Sequence, residues 1–249
     1  MITFYDSGIG GLTIVNEYLK LKPNAKFDYF ADFDILPMGD KTNSEILDQV
    51  KSVAFKVFEN SNLLVLACNT ASVNTIRKLQ QNWLSAHFPG KQILSISKPI
   101  TELLDQKYSE FKDKKLIILA TQATINSGFY QKEFEQIGFE NIVGIACPDL
   151  CDLIEKLINF EANSSGFLKS SQIEQIIKRI QNNLEASLEI ERYLIELKVP
   201  TDSLILLACT HYPIIKNQIA KVYSSCTIID PSQFIAQKLV EYEYRHRRY

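Results

Sequence analysis

Short apolar runs alternate along this chain with longer segments whose apolar residues recur at helical spacing. The first unit is clear, because Ile2–Tyr5 is a β-prone run, residues 6–11 form a glycine-rich turn, and Leu12–Leu21 has apolar residues three or four positions apart. The same pattern predicts further strands at Phe27–Ala31, Leu63–Ala67, Gln92–Ile96, Leu116–Ala120, Ile142–Ala146, Leu204–Ala208 and Thr227–Ile229. Repetition of strand, turn and helix predicts an α/β fold with mainly parallel sheets flanked by helices.

Two of these apolar runs resemble each other. Residues 63–70 (LLVLACNT) and 204–211 (LILLACTH) are identical at four positions, which include an Ala-Cys pair. Each copy predicts a buried strand that ends in a cysteine, so we expect the two halves of the chain to be related units. Open parallel sheets bind ligands at the carboxyl ends of their strands. We therefore expect Cys68 and Cys209 to face one crevice from opposite sides.

Composition narrows the functional classes. The chain has 249 residues, of which 46% are hydrophobic, and a formal net charge of −2. A near-neutral chain has no overall field that attracts nucleic acid or an anionic membrane, and its apolar runs are too short to span a bilayer. The expected partner is a small molecule. Five cysteines without a paired framework indicate a reducing compartment, the cytoplasm.

Two of the five cysteines have a setting that favours reactivity. Cys68 and Cys209 each follow an apolar strand and precede hydroxyl or amide side chains at the start of the next segment, where a thiolate can be stabilised. His211 lies two residues beyond Cys209 and can shift a thiol pKa or carry a proton. The other three cysteines lack this setting, and we expect them to pack as small apolar residues. They are Cys147, Cys151 and Cys226.

Metal binding and hydrolysis by a cysteine nucleophile are weak alternatives. Zinc-ligand spacing occurs only in Cys147-x-x-x-Cys151 and in Cys209-x-His211, which would have to combine across the fold. We therefore expect no metal ion. A cysteine–histidine hydrolase needs one thiol and leaves the second unexplained.

The glycine-rich turn at residues 8–11 raises a dinucleotide site as a further alternative. Its G-x-G-x-x-G pattern is incomplete because Thr13 stands at the last position, and Asp6 would put a carboxylate beside a pyrophosphate.

Two thiols across one crevice instead suit the inversion of a carbon next to a carboxylate. One thiolate removes the Cα proton from one face while a thiol returns a proton to the other.

Four motifs of the chain resemble those of the glutamate racemase family, whose cofactor-independent members make D-glutamate for peptidoglycan. They are DSGIGG at residues 6–11, ACNTAS at 67–72, ATQAT at 120–124 and ACTHYP at 208–213. The two cysteine motifs are highly specific as a pair, and the resemblance extends from Ile2 to about Gln237.

The resemblance implies two pseudo-symmetric α/β domains that face each other across an active-site cleft. We expect the first domain at residues 1–93 plus 225–249, and the second at 94–224 with a helical insertion at about 160–199. Cys68 and Cys209 would be the acid/base groups, assisted by Asp6 on the first side and by His211 and Glu155 on the second. The implied substrate-binding residues are Ser7, Pro37, Met38, Gly39, Asn69, Thr70, Thr121, Thr124 and Thr210.

The loop of residues 31–39 departs from the family pattern, because Met38 replaces a substrate-facing tyrosine and Ile35 replaces an arginine. The backbone of Pro37 and Gly39 can still bind a carboxylate. The expected reaction is interconversion of L- and D-glutamate without a cofactor, and a homodimer is compatible with the family. Two alternatives stay open. One is a racemase for another amino acid such as aspartate, and the other is a catalytically weakened protein of this fold that binds an amino acid or has a regulatory role.

Overall fold

The computed structural model describes residues 1–158, 165–181 and 188–246. Residues 160–164 and 182–187 of the predicted insertion therefore lie outside the described residues. Within the described ranges the strands are β1 (Ile2–Asp6), β2 (Phe27–Ala31), β3 (Leu63–Leu66), β4 (Gln92–Ser95), β5 (Leu116–Ala120), β6 (Ile142–Ala146), β7 (Gly166–Phe167), β8 (Leu204–Leu207) and β9 (Thr227–Ile229).

These strands form two sheets. The first has the order β4-β3-β1-β2-β7, and the second has the order β6-β5-β8-β9. All neighbouring strands are parallel except β2 and β7, where Phe30 lies opposite Phe167. Helices connect the parallel strands and cover the sheets. The predicted α/β fold with mainly parallel sheets is thus confirmed.

The helices of the described residues are α1 (Leu12–Leu21), α2 (Asn43–Phe58), α3 (Asn69–Lys78), α4 (Leu84–His87), α5 (Ser97–Lys107), α6 (Gln122–Asn126), α7 (Phe129–Gln136), α8 (Leu150–Ile158), α9 (Ser170–Gln181), α10 (Leu188–Glu196), α11 (Lys216–Val222) and α12 (Ser232–His246). A π-helical segment, Leu79–Trp83, joins α3 to α4. Short 3₁₀ turns include Met38–Asp40 and Tyr212–Ile215. Among these helices none combines the length and the apolar character that a bilayer span requires.

Burial explains why the central strands are continuous apolar runs. Strands β1, β3, β5 and β8 are buried along their whole length, as expected for parallel strands with helices on both faces of the sheet. The apolar run of β1 stops at buried Asp6, while Cys68 and Cys209 lie two residues beyond the ends of β3 and β8. Chemically active side chains therefore gather where the apolar strands end.

The strand pairing differs from the predicted domain division at three points. Strand β4 continues past residue 93 to Ser95 and lies wholly in the first sheet. Strand β9 was expected in the first domain, but it hydrogen-bonds to β8 in the second sheet. Strand β7 belongs to the predicted insertion of the second domain, but it extends the first sheet beside β2. The division into domains otherwise stays a prediction.

The last helix, α12, returns to the first half of the molecule and packs on α1. Glu243 accepts hydrogen bonds from Tyr18 (2.9 Å) and from Lys22 (2.8 Å), which lie on or next to α1. The last helix thus contacts the first half of the molecule, and its assignment to the first domain stays a prediction.

The end of β3 joins the buried core to the start of α3, so a substitution there tests how much the core contributes to stability. Leu66 is fully buried, and its carbonyl accepts a hydrogen bond from Ser72 Oγ (2.8 Å) on α3. We expect Leu66→Ala to lower the free energy of unfolding by about 2–5 kcal/mol, because it leaves a cavity. Leu66→Met nearly conserves the volume and should cost less than about 1.5 kcal/mol. Urea unfolding of both variants checks this, and equal losses would contradict it.

Candidate active site

Two cysteine thiols lie at the carboxyl ends of parallel strands on a common cleft. Cys68 caps the start of α3 directly after β3, and Cys209 lies between β8 and the 3₁₀ turn Tyr212–Ile215. Each is 5% exposed. The cleft between the two sheets is lined by both cysteines. The predicted juxtaposition of the two strand-cysteine motifs thus agrees with the geometry.

The surroundings of Cys209 stabilise its thiolate. Its Sγ lies 3.4 Å from Cys151 Sγ and 3.9 Å from His211 Nδ1, while His211 Nε2 lies 2.8 Å from Glu155 Oε1. Burial alone raises the pKa of Cys209, but the hydrogen bonds with Cys151 and His211 and the charge of His211 lower it to about 5. Burial likewise opposes protonation of His211, but its contacts with Cys209 and Glu155 raise its pKa well above the usual value. A buried thiolate–imidazolium pair results.

Cys68 has the opposite setting. Its Sγ lies 3.7 Å from Ser7 Oγ and donates a hydrogen bond to Met38 Sδ at 3.7 Å. Burial is the main cause that raises the pKa of Cys68, to about 12, and the negative charge of Asp6 adds to it. The Cys68 thiol therefore keeps its proton at neutral pH.

Asp6 connects the two sides of the cleft. Its carboxylate accepts hydrogen bonds from the Gly8 N–H and from Thr210 Oγ1, both at 2.9 Å. Burial raises the pKa of Asp6 to about 6, although His211 and these hydrogen bonds oppose the shift. The family resemblance implies that Asp6 assists Cys68. In the structure, however, Asp6 accepts a hydrogen bond from Thr210, which is the residue next to Cys209.

The glycine turn after Asp6 allows the two halves to approach closely. A Cβ atom on Gly10 would lie 2.5 Å from His211 Nδ1 and 2.6 Å from Thr210 Oγ1. No side chain fits in these distances unless the site shifts. Glycine is therefore required at position 10 by the contact across the cleft.

Hydroxyl and amide groups form a second polar contact between the halves. Thr70 Oγ1 lies 2.8 Å from Thr121 Oγ1 and 3.3 Å from Thr124 Oγ1. Thr121 caps α6 by accepting the Thr124 N–H. Asn69 is held by Tyr130, whose hydroxyl donates to Asn69 Oδ1. These hydrogen bonds fix the positions of the polar side chains around the start of α3.

The turn at residues 37–39 closes the cleft beside Cys68. Met38 is buried, and Gly39 packs so closely on Thr121 that a Cβ atom at position 39 would lie 2.9 Å from the Thr121 Cβ. The turn thus contributes a thioether and closely packed backbone at the position where the family pattern has a tyrosine.

Eleven predicted site residues line the cleft. They are Ser7, Pro37, Met38, Gly39, Cys68, Asn69, Thr70, Thr121, Cys209, Thr210 and His211. Three others do not line it, but each hydrogen-bonds to a residue that does: Asp6 to Thr210, Thr124 to Thr70, and Glu155 to His211. The geometry thus brings all fourteen predicted positions into one connected network, while their roles stay predictions.

Cys151 is one residue of this network that sequence reasoning missed. It was expected to pack as an apolar residue, but its sulfur contacts Cys209 and lines the cleft. One signal was available, because Cys151 and Glu155 are four residues apart on α8 and so share a helix face. Tyr130 was missed as well, since nothing in its local pattern connects it with Asn69.

Comparison with known proteins gives a consistent picture. No protein-family model matches the chain. Glutamate racemase from Aquifex aeolicus is 30% identical over 242 residues, which cover 97% of this chain and 82% of that protein. Glutamate racemase from Clostridium novyi is 31% identical over 238 residues, which cover 92% of this chain and 77% of that protein.

Solved structures show the same fold. The crystal structure of glutamate racemase from Campylobacter jejuni aligns with a TM-score of 0.74 at 23% identity and covers 97% of this chain and 85% of that one. That of glutamate racemase from Francisella tularensis, in complex with D-glutamate, aligns with a TM-score of 0.73 at 23% identity and covers 99% and 81%.

The close contact at Gly10 can be tested by adding one methyl group. We expect Gly10→Ala to lower the free energy of unfolding by about 1–3 kcal/mol, because the methyl group overpacks His211 and Thr210. Gly166→Ala is the matched control, since a Cβ there meets no atom of the described residues within 4 Å, and it should stay within about 0.5 kcal/mol of the unmodified protein. Urea unfolding measures both. A Gly10→Ala variant as stable as the control would contradict the contact.

Proposed function

The chain belongs to the glutamate racemase family, and we propose that it interconverts L- and D-glutamate with Cys68 and Cys209 as the two acid/base groups. The observation that supports this most directly is the unequal setting of two thiols on one cleft. The pKa of Cys209 is lowered to about 5, and that of Cys68 is raised to about 12. At neutral pH the site therefore has one base and one acid.

Inversion at Cα follows from this pair of protonation states. In one direction the Cys209 thiolate removes the Cα proton, and the Cys68 thiol delivers its proton to the opposite face. The reaction leaves a Cys209 thiol and a Cys68 thiolate, which is the state that the reverse direction needs. Proton exchange between the thiols through solvent restores the resting state.

His211 and Glu155 prepare the base. The His211 imidazolium lies against the Cys209 sulfur and lowers the free energy of the thiolate, and Glu155 holds the imidazole ring at 2.8 Å. His211 thus acts on proton transfer through Cys209 rather than on the substrate.

The substrate must be held by local groups, because the chain has a net charge of −2 and the substrate is an anion. The start of α3 follows Cys68 and favours a carboxylate through the helix dipole and the backbone N–H groups of its first turn. The side chains that we propose for hydrogen bonding to substrate are Ser7, Asn69, Thr70, Thr121, Thr124 and Thr210. Such preorganised donors also stabilise the charge that develops on the α-carboxylate when Cα loses its proton.

Two further residues act through their neighbours. Asp6 orients the Thr210 hydroxyl by accepting its hydrogen bond. Met38 covers the Cys68 thiol with an apolar thioether, which keeps water away and maintains the raised pKa. The adjoining backbone of Pro37 and Gly39 is proposed to contact a substrate carboxylate.

We place the reaction in the cytoplasm, where it would supply D-glutamate for peptidoglycan without a cofactor. The absence of a paired cysteine framework in the sequence supports a reducing compartment. Assembly as a homodimer stays a prediction.

Solvent isotope transfer tests the two-base reaction. In heavy water, deuterium should enter Cα of the product enantiomer while the recovered substrate keeps its hydrogen at early times, because one thiolate takes the Cα proton and the other thiol, which has exchanged with solvent, delivers a deuteron. Mass spectrometry of the separated enantiomers, together with circular dichroism of glutamate over time, measures this. Absence of exchange from either enantiomer would overturn the proposal.

Variants of the thiols assign the two bases. Cys68→Ser and Cys209→Ser should each lower kcat by about 10²–10⁴-fold, the usual contribution of a general acid or base. Cys226→Ser is the matched control, because Cys226 donates to the Pro200 carbonyl and is not among the described residues that line the cleft. A double variant at Cys68 and Cys209 that still racemises glutamate would show that the thiols are wrongly assigned.

The pH profile follows from the shifted pKa values. The pKa of Asp6 is about 6 and that of Cys209 about 5, so kcat/KM should fall as the pH drops through this range, because protonation removes first the acceptor that orients Thr210 and then the base. Both enantiomers should share this acid limb, because each direction starts from enzyme in which one of the two cysteines is a thiol and the other a thiolate. Acid converts that enzyme to the form with two thiols in either case. A limb centred near the ordinary thiol pKa of 9.0 would contradict a resting Cys209 thiolate.

A further inference from the structure

Three atoms that can bind a metal ion lie together at the base of the cleft. Cys151 Sγ, Cys209 Sγ and His211 Nδ1 are all within 4.8 Å of one another. The two sulfurs are 3.4 Å apart, and Cys209 Sγ lies 3.9 Å from His211 Nδ1. The proposed reaction uses Cys209 and His211, but it assigns no proton transfer or substrate contact to Cys151.

We propose that these three atoms bind a thiophilic divalent cation of the zinc class, and that this cation is a reversible inhibitor. The effect on activity rests on the proposed function, because a metal-bound Cys209 thiolate cannot accept the Cα proton. Binding itself depends only on the three side chains. The sequence spacings Cys147-x-x-x-Cys151 and Cys209-x-His211 contain all three ligands, and the fold brings them together.

The distances fit such an ion. Zinc binds thiolate at about 2.3 Å and imidazole nitrogen at about 2.0–2.1 Å, usually with tetrahedral geometry. Those bond lengths put two sulfur ligands about 3.8 Å apart, and a sulfur and a nitrogen ligand about 3.6 Å apart. The observed separations of 3.4 and 3.9 Å therefore need shifts of only a few tenths of an ångström. Cys151 Sγ and His211 Nδ1 lie within 4.8 Å of each other, so this pair has to approach by at most about 1.2 Å.

The outer contacts of the ligands fit as well. A metal-bound histidine usually donates its other ring N–H to a carboxylate, which fixes the ring and its tautomer. His211 presents Nδ1 to the sulfurs, and its Nε2 lies 2.8 Å from Glu155 Oε1. The imidazole is thus already oriented for coordination through Nδ1.

Access and charge favour a cation. Cys151 is only partly buried, and the same cleft is lined by Asp149 and Asp152, whose carboxylates attract positive charge. On binding, Cys151 releases its thiol proton and the His211 imidazolium releases its Nδ1 proton to solvent, because metal ligands must be deprotonated. Three protein ligands leave a fourth position for water or a carboxylate oxygen.

Cobalt(II) provides a direct test of this site. Protein freed of metal with a chelator and kept reduced with a phosphine should bind one Co²⁺ per chain, with thiolate-to-cobalt charge-transfer bands and the intense visible bands of tetrahedral cobalt. Cys151→Val removes one ligand at similar volume. Loss of a residue that only hydrogen-bonds to a metal ligand weakens metal binding by up to about 100-fold, so loss of the ligand itself should weaken Co²⁺ binding by at least about 100-fold. Cys226→Val leaves the site intact and should bind as the unmodified protein does.

Inhibition by Zn²⁺ is the second readout. Micromolar Zn²⁺ should abolish racemisation by the unmodified protein, and excess chelator should restore it. With the rate of each protein expressed as a fraction of its rate without Zn²⁺, half-inhibition of Cys151→Val should require at least about 100-fold more Zn²⁺. Equal Co²⁺ affinity of the Cys151→Val and unmodified proteins, or binding without thiolate bands, would overturn the metal site. Metal-free protein that binds Co²⁺ as expected but racemises nothing would overturn the proposed function and leave the site standing.

Discussion

The hydrogen bond between Asp6 and Thr210 joins the carboxyl ends of strands β1 and β8, and the geometry of the cleft depends on it. A further bond runs from Thr13 Oγ1 to the Thr210 carbonyl at 3.2 Å. Both are buried, where an unpaired polar group costs about 1–3 kcal/mol. The two sheets are therefore held at one separation at the point where their cysteines meet. Glycine at position 10 is the steric counterpart of these bonds, because it lets the backbone approach His211.

Burial acts on both thiols, and the difference between them comes from what compensates it. Desolvation raises the pKa of Cys68 and of Cys209 alike. Only Cys209 has a cation and a second thiol beside it, while Cys68 faces a thioether, a hydroxyl and the negative field of Asp6. A pseudo-symmetric pair of strands thus carries an asymmetric pair of charges. The same contacts that make Cys209 a good base also make its surroundings suitable for a metal ion.

The sequence predicts the sheets well because their strands are short, fully apolar runs between turn residues. Strand β7 was not predictable in this way, since Gly166–Phe167 is too short for a pattern and exists only because the edge of β2 is available. Strand β9 was recognised, but its sheet could not be inferred from its own residues.

For the site, Cys68 and Cys209 follow from their strand context and His211 from its spacing. Glu155, which is far away in sequence, is supported only through the family resemblance. Cys151 lies beside Cys209 because α8 packs against the 3₁₀ turn Tyr212–Ile215, a tertiary contact that no local pattern contains.

The path of the chain between the two halves has a consequence for folding. In the described residues it leaves the first sheet after β4, returns for β7, leaves again for β8 and β9, and returns once more with α12. The first half therefore lacks an edge strand and a covering helix until most of the second half has been synthesised. Neither half can reach its final packing alone during translation, and the two are expected to behave as one cooperative unit.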